Sequence, residues 1–194
     1  NRNERKNMHG KTDPYLGSQV HAHLLKLGVE TPMIDVQVEF DNQQKIEKLT
    51  ELFTSVWNVV GMDLTDDSLR DTPRRMAKMY VNEIFTGLSY KNFPKCTAIS
   101  NKMGYDEMLC ESNINVQSNC EHHGVVISGK AAVAYIPSEL VIGLSKINRI
   151  VEFFSKRPQV QERLTEQIYH ALTFILGTEN IAVTITAEHY CVKS

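Results

Sequence analysis

The chain lacks any run of about eighteen apolar residues, so no helical membrane span is expected. It also lacks a basic segment followed by an apolar one near its start, so secretion is not expected. Cysteine is scarce, with four residues, and Cys96 and Cys110 read as ordinary thiols of a reducing cytoplasm. Neither charge sign dominates, since the net charge is -2, and this argues against general nucleic-acid binding while leaving room for a local basic pocket. Internal repeats and low-complexity tracts are absent. What is present, 194 residues with 42% hydrophobic and 23% charged side chains, suits one globular domain with a smaller N-terminal appendage.

Histidine and cysteine are concentrated rather than scattered. Ser118-Asn119-Cys120-Glu121-His122-His123 carries a thiol and two imidazoles, and His189-Tyr190-Cys191 carries another of each. Cys120 and His123 stand close enough in sequence to aim a sulfur and a ring nitrogen at one ion, with Cys191 as third ligand if the C-terminal segment folds back. Thiolate and imidazole suit zinc, and three protein ligands with a free fourth position describe a catalytic site. His122 and His189 then lie beside the metal as proton carriers. The residues alone leave two other readings open: cysteines buried as apolar side chains, and a structural zinc closed by His122 or His189.

Along the chain, residues 1–12 are polar and without periodicity, so a loose segment is expected. Asp13-Pro14 caps a helix ended by Gly28, carrying His21 and His23 as solvated side chains on different faces. Thr31-Pro32 begins an extended linker. Asp41 or Asn42 caps a second helix with an apolar stripe at Ile46, Leu49, Leu52, Phe53, Val56 and Val60. Its Trp57 suits a subunit contact or a half-buried position. Thr72-Pro73 reads as N-cap and first residue of a third helix to about Phe85, on which Arg75 and Lys78 share a face suited to phosphate or to solvent.

From Phe93 the pattern turns to period two, with strands expected over 97–101, 107–117, 125–127 and 130–136 and a hairpin turn at Ser128-Gly129. The Cys-Glu-His-His cluster falls between two strands. Ser145 is expected to cap a helix through Lys156, and Lys146 and Arg149 in its first turn oppose the helix dipole unless an anion binds there. A second helix follows Pro158, with Glu162 near its start, and ends at Gly177. A last strand over 181–187 then delivers His189 and Cys191.

Together, Ser118–His123, Val133-Ala-Tyr-Ile-Pro137, Ile142–Ile150, Lys156–Leu164 and His189-Tyr-Cys-Val-Lys193 resemble the zinc-dependent GTP cyclohydrolase I family, over roughly residues 42 to 194. The resemblance implies an α+β architecture. A helical N-terminal region, 1–92, would precede a T-fold catalytic domain, 93–194, with a four-stranded antiparallel sheet and two helices between its second and third strands. It implies Cys120, His123 and Cys191 as ligands of Zn2+, His122 as the residue handling protons while the purine opens, and His189 assisting. Arg75, Lys78, Lys146 and Arg149 correspond to triphosphate contacts, Ser145 to a ribose contact, and Gln161 and Glu162 to guanine recognition. It further implies conversion of GTP and water to 7,8-dihydroneopterin triphosphate and formate, the entry to pterin and folate synthesis. The expected assembly is a toroidal homodecamer of two pentamers in the cytoplasm, with neither nucleic acid nor membrane as partner. Family members also continue beyond the position of Ser194 with a basic stretch. A catalytically idle GTP- or pterin-binding protein of the same fold is the alternative.

Overall fold

In the computed structural model, residues 10–34 and 40–193 are described. Of the expected loose segment 1–12, residues 1–9 lie outside them, while Lys11 accepts a backbone bond from Lys95 (2.9 Å) and Thr12 bridges Pro94. The expected linker after Pro32 likewise falls partly outside the described residues. Contacts divide the chain into two compact units, Asn1–Pro32 with Gly87–Ser194, and Met33–Thr86, where the sequence suggested a single boundary at 92/93.

In the first unit, helix α1 (Pro14–Leu27) starts where the Asp13 carboxylate accepts the Leu16 N–H at 3.0 Å, and it stops at Gly28 in the left-handed conformation. The second unit contains α2 (Asn42–Val59), opened by a capping box between Asp41 and Gln44. It also holds α3 (Thr72–Met79), continued by a π-helical turn over Tyr80–Ile84. Thr72 is already helical there, and Asp71 rather than Thr72 occupies the cap position. Within this unit Trp57 Nε1 donates to Met76 Sδ at 3.2 Å and Tyr80 packs between Phe53 and Phe85.

The sheet belongs to the first unit. Strands β1 (Ala98–Ser100) and β4 (Leu140–Ile142) form a small antiparallel pair. The main sheet takes β2 (Leu109–Cys120), β3 (Val126–Tyr135), β5 (Pro158–Gln159) and β6 (Ile181–His189) in the order β5-β2-β3-β6. Helices α4 (Leu144–Ser155) and α5 (Gln161–Leu176) lie between β3 and β6 in sequence, and α6 (Tyr190–Lys193) closes the described chain. An α+β architecture with two inserted helices is therefore observed. The wholly antiparallel four-stranded sheet is not, because β5 pairs with β2 in parallel, Asn119 opposite Pro158 and Cys120 opposite Gln159. The reason is the path of the chain: leaving α4, it crosses the edge of β2 for two residues before entering α5.

Ile114 and Val116 alternate inward on β2, as do Ala131, Val133 and Tyr135 on β3, and they meet Ile147, Ile150, Val151 and Phe154 of α4 and Leu164, Ile168 and Leu172 of α5. Val20 and Leu24 of α1 complete this core. Ser128-Gly129 is not a turn but the middle of β3, opposite Gln117 and Val116 of β2. Gly129 is needed for close approach, since a β-carbon there would run into the Thr186 carbonyl and Ala187 of β6. Ser145 is not a cap either; Gly143 takes that position and Ser145 is exposed in the first turn of α4. His21 and His23 are half-buried rather than solvated, because α1 packs on neighbours: His21 stacks on Tyr90 at 4.4 Å and His23 lies 5.1 Å from Phe174. Among the described residues no helix is long and apolar enough to cross a membrane.

Candidate metal centre

The register of the sheet brings the two His/Cys segments to one place. β2 and β6 are both antiparallel to β3, so both run toward the same end of the sheet, separated there only by β3. Strand spacing puts their ends about 10 Å apart. The hairpin 121–125 bridges part of that gap, with Gly124 at φ 68° allowing the tight reversal, and α6 turns Cys191 back from the end of β6. The outcome is that Sγ of Cys120, Sγ of Cys191 and a ring nitrogen of His123 all lie within 4.8 Å of one another. No other group of three or more His, Cys, Asp or Glu ligand atoms is gathered in this way among the described residues.

Backbone ties hold the hairpin in place. Cys120 N–H donates to Val125 O at 2.7 Å, Gly124 N–H to Cys120 O at 2.9 Å and Glu121 N–H to Gln159 O at 3.0 Å. The third of these comes from β5, whose neighbour Arg157 is a fully buried guanidinium. Arg157 pairs with Glu30 at 2.8 Å, bonds Thr31 Oγ1 and the Gly87 carbonyl, and lies over the rings of Tyr90, Phe153 and Phe154. Gln159 and Gln167 add a buried amide pair at 2.7 Å.

Cys120 is buried while His122 and His123 are exposed. Burial by itself pushes the Cys120 thiol up, but the His122 backbone, the His123 ring and backbone and the Cys191 thiol all favour the thiolate and bring it down to about 6. Burial and the neighbouring Cys120 push Cys191 the other way. A thiolate, a thiol and an imidazole at these separations fit a soft or borderline cation of the zinc class.

Around the trio, His122 Nδ1 lies 3.8 Å from Cys120 Sγ, and Glu121 Oε1 lies 3.7 Å from His122 Nε2. Glu121 is in turn paired with Arg163 of α5. His189, at the end of β6, donates from Nε2 to Gln161 Oε1 at 2.9 Å, and the Gln161 amide donates to Ile185 O at 3.2 Å. That bond assigns the His189 proton to Nε2. Glu162 is exposed in the first turn of α5, and Lys146 and Arg149 are half-buried in the first part of α4. Arg75, 3.8 Å from Asp71, and Lys78 are exposed on α3 of the second unit.

The family model for GTP cyclohydrolase I matches residues 49–194. The chain belongs to that family. Proteins named GTP cyclohydrolase 1 are similar to it over 175 residues: one from Tolumonas auensis is 57% identical, covering 90% of this chain and 80% of the relative. Those from Yersinia enterocolitica and Enterobacter sp. are 58% and 56% identical, covering 90% of this chain and 79% of each relative. The GTP cyclohydrolase I expected from the motifs is thus borne out as an enzyme family, and the match takes in the whole 121–125 hairpin and both strand ends. The sequence singles out the five His and Cys residues and Gln161, but not the Glu121–Arg163 pair beside them. Glu121 and Arg163 were missed because each looks like an ordinary surface charge until β5 brings the hairpin beside α5.

Proposed function

We propose that this member hydrolyses and rearranges GTP to 7,8-dihydroneopterin triphosphate and formate, with Zn2+ held by Cys120, His123 and Cys191. The observation that carries the reading is the meeting of those three ligand atoms within 4.8 Å, the group holding no fourth His, Cys, Asp or Glu among the described residues. When bound, zinc supplies Lewis acidity that makes an attacking water more acidic near neutral pH. His122, exposed beside Cys120, is the group that passes a proton to the imidazole-ring nitrogen of the base as the C8–N bond opens. His189, its Nε2 proton committed to Gln161, keeps Nδ1 as an acceptor for the later sugar steps.

Glu162 and Gln161 are assigned to the base, because a carboxylate accepts from the N1 and 2-amino donors that adenine lacks. Lys146 and Arg149, with Arg75 and Lys78, are assigned to the triphosphate, and Ser145 to the ribose. Basic residues at the start of α4 oppose the helix dipole, and an anion there relieves the conflict. The toroidal decamer is proposed on the same footing. Within the described chain β6 pairs only with β3, and β2 from Leu109 to Ser118 pairs only with β3, so both long edges of the sheet remain for other copies. A cytoplasmic location agrees with free thiols at the metal centre.

The test pairs metal analysis with GTP incubation. Stoichiometric zinc, released formate and a product that fluoresces as a pterin after oxidation are expected. Metal-loaded protein that binds GTP without releasing formate would overturn the reading in favour of an idle binding protein. The His122→Ala variant is expected to keep its zinc and lose formate release by about 100-fold or more, the usual weight of a general acid–base group.

A further inference from the structure

Glu121 stands in the hairpin between Cys120 and His123, and its carboxylate faces two ways. Oε2 pairs with Arg163 Nη1, while Oε1 lies 3.5 Å from Arg163 Nη2 and 3.7 Å from His122 Nε2. The carboxylate and the guanidinium are mostly covered, with 23% and 22% of their side chains exposed, whereas the His122 side chain is 65% exposed. An exposed imidazole turns freely about two side-chain bonds and samples several rotamers. A carboxylate gripped from behind by a planar two-pronged donor favours one of them, as outer-shell carboxylates do for histidines generally. Arg163 projects from the first turn of α5, directly after Gln161 and Glu162. The pair therefore joins the hairpin to the helix end assigned to the base.

We propose that Arg163 is a positioning residue: from α5 it holds Glu121 against His122 and so sets where that imidazole meets the opening purine. The proposal rests on the reading of His122 as proton carrier. A lysine cannot reproduce the fork, so Arg163→Lys should restore only part of what Arg163→Met removes.

Full-length, metal-loaded protein carrying R163M is expected to lose about 10- to 100-fold in kcat for formate release while KM for GTP stays within about twofold, with R163K between the two. The visible spectrum of the cobalt(II)-substituted protein should not change, because the ligands are untouched. Adding R163M to H122A should cost nothing further. A raised KM with kcat preserved would mean that Arg163 holds substrate directly. An altered cobalt spectrum or lowered metal content would mean that it supports the ligands. An additional loss in the H122A background would mean that it acts through another group. Each of these overturns the proposal, as does full kcat in R163M. Should R163M fail to fold, E121Q is expected to show the same kcat loss at unchanged KM, and full kcat in E121Q overturns it equally. H122A turning over at the parent rate would remove both this proposal and the His122 assignment, whereas full kcat in R163M alone removes only this one.

Discussion

Arg157 and Arg163 flank the same short strand, β5, and each pairs with a glutamate distant in sequence. The Arg157–Glu30 pair retains 1% and 6% of its side-chain exposure, the Arg163–Glu121 pair 22% and 23%. Around Arg157 are three aromatic rings, a threonine hydroxyl and a carbonyl; beside Glu121 are an exposed histidine and the hairpin of the metal centre. The inner pair is so desolvated that each charge depends on the other, and its contribution is to hold β5 where Gln159 O can receive the Glu121 N–H. The outer pair is covered less completely, so less stability hangs on it. The same two kinds of charged group thus lock the fold on one side of β5 and stand beside the candidate site on the other, and the degree of burial separates them.

Four experiments test that contrast, in order of expected size. Replacing Arg157 with alanine strands Glu30 in the interior and should cost about 3–5 kcal/mol in chemical denaturation, a large part of a domain's stability. A loss below about 1 kcal/mol would place the inner pair with the outer one.

Second, the metal-free protein reports the electrostatics of the candidate ligand cluster. The Cys120 thiol, lowered from 9.0 to about 6, is ionised in the folded chain and protonated in the unfolded one between those values. Unfolding then takes up a proton, so the metal-free protein should lose stability as pH falls from about 9 through about 6, the contribution being complete only above the unfolded value. Thiolate absorbance should fade over the same lower range and be absent there in Cys120→Ser. A thiol titrating near its ordinary value would show that the surrounding donors do not hold the thiolate.

Third, Asp41→Ala removes a capping box in the other compact unit, away from both arginines in sequence, and should cost about 1 kcal/mol with formate release unchanged. Fourth, Arg163→Met should change unfolding free energy by no more than about 1 kcal/mol, despite its larger effect on turnover. A stability loss matching that of Arg157→Ala would erase the distinction between the pairs.

Much of this was legible beforehand, for local reasons. Asp13-Pro14 and Gly28 bound α1 because capping and left-handed backbone depend on the residues present at those points. The apolar spacing of Ile147, Ile150, Val151 and Phe154 identified the inner face of α4, and all four are buried. Local rules failed where a neighbour intervened. Ser128-Gly129 has turn composition, yet Gly129 serves the approach of β6, and His21 and His23 are half-covered by residues far along the chain. On α2 the helical spacing was right, but Leu52, Val56 and Val60 of the expected stripe remain exposed, since periodicity marks a face without saying what covers it.

By itself the sequence determined the donor types, two thiols and the imidazoles beside them, because coordination chemistry resides in individual side chains. It also determined the period of each segment, which follows from the alternation of apolar and polar residues. Only the tertiary structure decided that β2 and β6 end at the same edge of the sheet on either side of β3, that β5 runs parallel to β2, and that one arginine is fully buried and the other partly exposed. Those are consequences of long-range pairing, in which strand register and burial are set by partners that no local pattern names.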